Sequence, residues 1–108
     1  MTTNTDYFWT EVEALASGIA TTRRDSDGRA ELFVPTANGT LEITSDGRFV
    51  SVAWRGLFIE DRLIETQQEA DFLLAVCDAV LAGRASDSGR VATATLTTRG
   101  CNTIWKSA

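Results

Sequence analysis

Fifteen carboxylates, seven serines, two cysteines, one tyrosine and one lysine are among the groups in this 108-residue chain able to act as nucleophile, acid–base group or metal ligand. No histidine accompanies them. Histidine is the side chain that titrates near neutral pH unaided, so its absence removes the usual general base and the usual nitrogen ligand for zinc. No serine lies in a Gly-x-Ser-x-Gly elbow, and a serine–lysine pairing would have to recruit Lys106, the third residue from the C-terminal end. The chain has neither a Gly-x-x-x-x-Gly-Lys-Ser/Thr phosphate loop nor a Gly-x-Gly-x-x-Gly turn. Asp25-Ser26-Asp27-Gly28 resembles part of a calcium loop, but the twelfth position, where a bidentate glutamate belongs, is Thr36. That segment reads as a hairpin turn. Cys77 and Cys101 share no Cys-x-x-Cys spacing and have no histidine companions, so neither a metal nor a redox site is expected. Carboxylate pairs occur throughout an acidic chain and indicate nothing alone. The expectation is a protein that is no enzyme and carries no cofactor and no metal.

Three features suit recognition better than catalysis. The segment Glu60-Asp61-Arg62…Glu65…Glu69…Asp71 sets five carboxylates against one arginine, a local charge of −4 within twelve residues. It reads either as a solvated loop and helix start, where acids are favoured anyway, or as a docking patch for a basic protein surface. Trp54-Arg55-Gly56-Leu57-Phe58 joins two residue types common in binding hot spots to a glycine that can mark a bulge or admit a partner backbone. Its plainer reading is a core tryptophan followed by a bulge. Thr93, Thr95 and Thr97 form a flat polar face on a possible edge strand, able to pair with another chain or simply to face water. The candidate partner-binding residues are Trp54, Arg55, Glu60, Asp61, Glu65, Glu69 and Asp71.

The elements that would hold these residues follow from periodicity. Phe8, Val12, Leu15 and Ile19 recur at helical spacing, which predicts a helix from about Asp6 to Ser17, capped by Thr5 or Asp6 and stopped at Gly18, with Trp9 widening its apolar stripe. The period then drops to two. Asp27-Gly28, Asn38-Gly39 and Asp46-Gly47 are turn dipeptides separating strand-like runs at 20–24, 29–34, 40–45 and 48–54. Leu41 and Ile43 share one face with Val50, Val52 and Trp54, so the sheet is predicted to be a meander with one dry face and one wet. Leu57-Phe58-Ile59 continues it, either as a bulged extension or as a separate strand. Thr66-Gln67-Gln68-Glu69 has capping-box spacing before the stripe Ala70, Leu73, Val76, Cys77, Val80 and Leu81, and Gly83 stops that second helix. A polar loop at 84–89, an alternating strand at 90–99 and a folded-back tail with Ile104 and Trp105 complete the chain. The predicted fold is one α+β domain over residues 1–108. It has two layers: an antiparallel β-meander of about five strands with two helices packed on one face, in the order α-β-β-β-β-α-β.

Composition bounds the partners. A net charge of −5 disfavours a phosphate backbone, so no nucleic acid is expected. No apolar run spans a bilayer and the N-terminal residues lack a secretory pattern, so no membrane is expected and the location is expected to be cytoplasmic. Two cysteines as reduced thiols fit that compartment.

In its layout alone, a small acidic α+β chain, the protein resembles bacterial immunity proteins, which bind and neutralise a toxin domain. The order helix, turn-linked strands, helix and strand is also similar to type III secretion chaperone-like domains, which are acidic dimers that hold other proteins. The first likeness implies a non-enzymatic protein-binding module, an immunity or inhibitor protein meeting a basic partner. The second implies a chaperone-like or scaffold homodimer in place of a monomer. A small-molecule binding domain with an enclosed pocket between sheet and helices is a third class that sequence alone does not address.

Overall fold

The computed structural model describes residues 3–26, 28–37, 39–55, 57–87, 92–98 and 101–106. Helix α1 (Asn4–Leu15) begins two residues before the predicted start because the cap is Thr3. The Thr3 hydroxyl accepts the Asp6 N–H at 3.0 Å and the Asp6 carboxylate accepts the Thr3 N–H at 3.2 Å, a reciprocal box that satisfies two otherwise orphaned donors. The helix ends at Leu15, and Gly18 takes a left-handed φ of 87° in the turn that follows. Ile19 therefore lies past the helix, and the buried face consists of Thr5, Phe8, Trp9 and Val12.

Five strands form the predicted meander in sequential order: β1 (Thr22–Ser26), β2 (Arg29–Thr36), β3 (Gly39–Asp46), β4 (Phe49–Trp54) and β5 (Leu57–Leu63). Leu32 and Val34, Leu41 and Ile43, and Val50, Val52 and Trp54 alternate inward and are buried. The turns are tight, but two sit one residue away from the expected dipeptides. Thr36 pairs with Gly39 and Asp46 with Phe49, so the connecting residues are 37–38 and 47–48. A two-residue loop moved by one position changes the partner sums by two and leaves every side chain on its predicted face. Gly39 opens β3 at φ 121°, where a Cβ would meet the Arg55 Cγ at 2.7 Å, so this position needs glycine.

Helix α2 (Gln67–Leu81) starts as predicted, with the Thr66 hydroxyl accepting the Glu69 N–H at 3.2 Å, and Gly83 follows its end at φ 78°. Ala70, Leu73, Val76, Cys77 and Val80 are buried as expected, and Ala75 and Ala79 bury a second side of the helix. That wide burial has a cause absent from the prediction. The segment 84–89, expected as a loop, contains β6 (Ala85–Asp87), and the expected tail is β8 (Cys101–Lys106). Both pair with β7 (Ala92–Thr98) in a second, three-stranded antiparallel sheet that packs on α2. The architecture is α+β, with both helices against the meander and the small sheet added on α2. Ala94, Leu96 and Trp105 join Phe8, Val12, Leu41, Ile43 and Leu73 in one core. No described helix is long and apolar enough to cross a membrane.

Candidate functional site

The acidic segment is sorted by a single bulge. Strand β5 leaves the β4 turn with Trp54 opposite Leu57 and Ala53 opposite Phe58, but Val52 lies opposite Glu60, so Ile59 is the extra residue. A one-residue slip moves everything beyond it to the other face. Glu60 and Arg62 consequently share the helix-covered face with Val52 and Val50, whereas Asp61 and Leu63 share the outer face with Ser51 and Phe49.

Glu60 is engaged inside the molecule. Its carboxylate accepts the Trp105 indole N–H at 3.3 Å and lies 3.5 Å from the Arg62 guanidinium, which in turn sits 4.4 Å from the centroid of the Phe72 ring. This cluster ties β5 to α2 and to β8. Glu65 is exposed, 3.9 Å from Arg48. Glu69 belongs to the α2 cap, its side chain accepting the Thr66 hydroxyl at 3.1 Å. Asp71 accepts the Tyr7 hydroxyl at 2.7 Å and so joins α2 to α1, and that hydrogen bond raises the Tyr7 pKa above its ordinary 10.0. The five carboxylates of the segment therefore face in different directions, and only Asp61 lies on the outer face of the sheet.

The aromatic candidate requires a correction. Trp54, expected at the contact surface, is 2% exposed and forms part of the core, and its indole N–H has no hydrogen-bond partner among the described residues. The inward alternation of Val50, Val52 and Trp54 fixes that orientation. Arg55 remains exposed at the turn with a positive φ of 55°, its guanidinium 5.8 Å from the Trp54 ring. Thr93 and Thr95 lie half-buried on a face with Ile104 and Lys106, but β7 is the central strand of its sheet and not an edge. Thr97 also lies on β7, and its side chain is outside the described residues, as is that of Cys101. Cys77 is fully buried, which pushes its thiol up to about 12 and keeps it protonated and unreactive.

The sequence predicts a wet, outer face of the meander but does not single it out as a candidate site. Both helices lie on the other side, and no outer-face residue among those described is buried. Phe49 and Leu63 are cross-strand partners there, 44% and 40% exposed. The face also collects charge of both signs: Arg24 lies opposite Glu31 and Arg29 opposite Asp46, whereas Glu42 and Asp61 face no cation across the register. Elsewhere Glu13, Asp25 and Asp78 pair with arginines, and Asp6 caps α1. Glu31, Glu42, Asp46 and Asp61 make no hydrogen bond or ion pair among the described residues, and all four project from the outer face. Glu11, on α1, is the one other described carboxylate in that condition.

Two depressions contain charged side chains. One of about 280 Å³ lies beside the turn after α1 and contains the Glu13–Arg23 ion pair, with Arg23 also stacked 4.9 Å from the Trp9 ring. Its charges are satisfied internally. The other, about 140 Å³, lies at the centre of the outer face among Glu31, Phe33, Glu42, Thr44, Ser51 and Ala53, with Arg24 opposite Glu31 and stacked on the Phe33 ring. No group of acidic or thiol side chains among the described residues is arranged to hold a metal ion. No protein family, curated protein or solved structure matches this chain.

Proposed function

We propose that this chain is a non-enzymatic protein-binding module of the immunity or inhibitor kind, which neutralises a basic toxin domain by covering it. The observation that carries the reading is the uncovered outer face, where an apolar cross-strand pair lies among four carboxylates that outnumber the strands' two outward arginines, Arg24 and Arg29. Five strands spaced about 4.8 Å apart, each about seven residues long, give a face of roughly 550 Å². Matched by a partner, that is roughly 1,100 Å² in total, near the lower bound for a specific interface. The acidic potential speeds encounter with a basic surface and makes association salt-sensitive.

The test is a mixture of the purified chain with a basic toxin domain encoded beside it, followed by calorimetry at low and moderate salt and by rescue of toxin-inhibited growth. Reversal of Asp61 to lysine is expected to weaken the complex without unfolding the protein. Reversal of Glu60, which holds Trp105 and Arg62, is expected to act on folding instead. A complex of unchanged affinity at higher salt, or no protection from the toxin, would refute the reading. The exposed Phe49–Leu63 pair favours a second reading, a chaperone-like or scaffold homodimer closed through the same face. Light scattering at tens of micromolar separates the two, since a strict monomer excludes the dimer.

A further inference from the structure

Independently of the outer face, we infer that the free edge of β1 is a docking site for an extended segment of another protein. That segment adds to the meander as a further strand and seats an aliphatic side chain in the groove beside it. Strand β1 ends the sheet, and among the described residues its backbone bonds to nothing but β2. The two-residue turn into β2 closes on the pair Ser26–Arg29, which exchanges hydrogen bonds, and such pairs alternate along an antiparallel ladder. Thr22 and Arg24 therefore also turn their N–H and C=O groups to β2, whereas those of Arg23 and Asp25 point away from the sheet. All five residues of β1 are exposed, and β5 at the opposite edge is broken by its bulge.

The groove adds selectivity to this row of free donors and acceptors. It is the depression of about 280 Å³ between β1 and the turn after α1, on the helix-covered side where Arg23 projects. Buried Ala16 and Leu32 form its floor and exposed Ile19 its rim. Glu13 and Arg23 neutralise each other at one end, so the groove calls for no charge and an aliphatic side chain suits it. An added strand alternates its side chains. The residues opposite Arg23 and Asp25 turn to the groove side, and the one between them stands beside Arg24, where an acid is favoured. Main-chain hydrogen bonds then supply affinity and the alternate side chains specificity. The occupant is not a second copy. Paired residues of two antiparallel copies share a face, so each self-pairing that overlaps at least three residues of β1 sets Arg23, Arg24 or Asp25 against its own counterpart. Such a pairing also brings the groove no aliphatic side chain.

The probe is the peptide acetyl-Thr-Val-Glu-Val-Thr-amide, titrated into the isotope-labelled chain and followed by amide chemical shifts. Saturable shifts are expected at Ile19, Thr21, Arg23 and Asp25. N-methylation of both valines removes the donors that meet the Arg23 and Asp25 carbonyls and is expected to weaken the peptide about tenfold. Asp25→Pro removes an outward N–H without touching the bonds to β2 and is expected to lose about fivefold, whereas Asp25→Ala, which keeps it, changes affinity less than about twofold. Ile19→Asp puts a charge on the groove rim and is expected to weaken binding by a similar factor to Asp25→Pro. The methylated peptide is tested on the unaltered chain, so it decides the matter if a variant folds poorly. No saturable binding would mark β1 as an edge blunted by its own charges. That result, equal affinity of the methylated peptide, or unchanged affinity in Asp25→Pro would overturn the docking site. Asp61→Lys, on the outer face, is expected to leave peptide binding unchanged, so the neutralisation reading stands or falls separately.

Discussion

The bulge at Ile59 makes a sharp prediction about two adjacent acids. Without it, Glu60 would share the face of Ser51 and Asp61 that of Val52. With it, Glu60 lies under α2 and Asp61 faces out. Removing the Glu60 side chain in Glu60→Ala strands the indole N–H of Trp105, which is 9% exposed, and frees Arg62 beneath Phe72. A hydrogen bond to a charged acceptor contributes roughly 1.5–3 kcal/mol, and an ion pair as exposed as Glu60–Arg62 adds about 0.2–1 kcal/mol. The Trp105 contact is long at 3.3 Å, so a total of about 2 kcal/mol is expected. For a domain of this size that lowers the melting temperature by roughly 10 °C. Asp61→Ala removes a side chain with no partner and is expected to change stability by less than about 0.5 kcal/mol. Thermal and urea unfolding of both variants, with Trp105→Phe completing a double-mutant cycle against Glu60→Ala, measures the difference. The reverse ranking, or equal costs, would refute the register beyond the bulge. A coupling near zero in the cycle would refute the Glu60–Trp105 contact.

Two further perturbations test how the meander is fastened to its helices. Ser45→Ala leaves the indole N–H of Trp9, which donates to the Ser45 hydroxyl at 3.0 Å, buried without an acceptor, and is expected to cost about 1–3 kcal/mol in a urea titration. Cys77 and Tyr7 both hold their protons more tightly when folded, Cys77 through burial and Tyr7 through Asp71. The unfolded chain therefore releases those protons first, so stability is fully present below the ordinary thiol value of 9.0 and falls as pH rises from there toward about 12. Urea midpoints between pH 8 and 10.5 are expected to decline, with a shallower slope in Cys77→Ala.

Much of the fold was legible because local chemistry and tertiary burial agree. Thr66 and Glu69 announce α2, and the strict alternation around Leu41 and Val50 survives a turn displaced by one residue because the displacement preserves parity. The misses have equally local causes. Thr3 with Asp6 has the same spacing as Thr66 with Glu69, yet the apolar stripe from Phe8 drew the predicted start inward. The residues 85–87 and 101–106 lack an amphipathic strand pattern of their own. They become strands because β7, packed on α2, offers them a paired backbone on both sides.

The site was harder to read because charge density along a chain is not charge density on a surface. Adjacent residues of a strand point to opposite sides, so Glu60 and Asp61 cannot form a patch together, and a helix start consumes Glu69 and Asp71 in a cap and an interhelical hydrogen bond. The carboxylates that do collect, Glu31, Glu42, Asp46 and Asp61, come from three separate strands, β2, β3 and β5, and are dilute in sequence. Three of them could have been grouped from the turns alone, since tight hairpins fix which positions of β2, β3 and β4 share a face. The fourth depended on the bulge, which shifts parity by one and leaves no trace in a run such as Leu57-Phe58-Ile59, where every residue is apolar. The strand register, more than the residue count, therefore decides where a partner meets this protein.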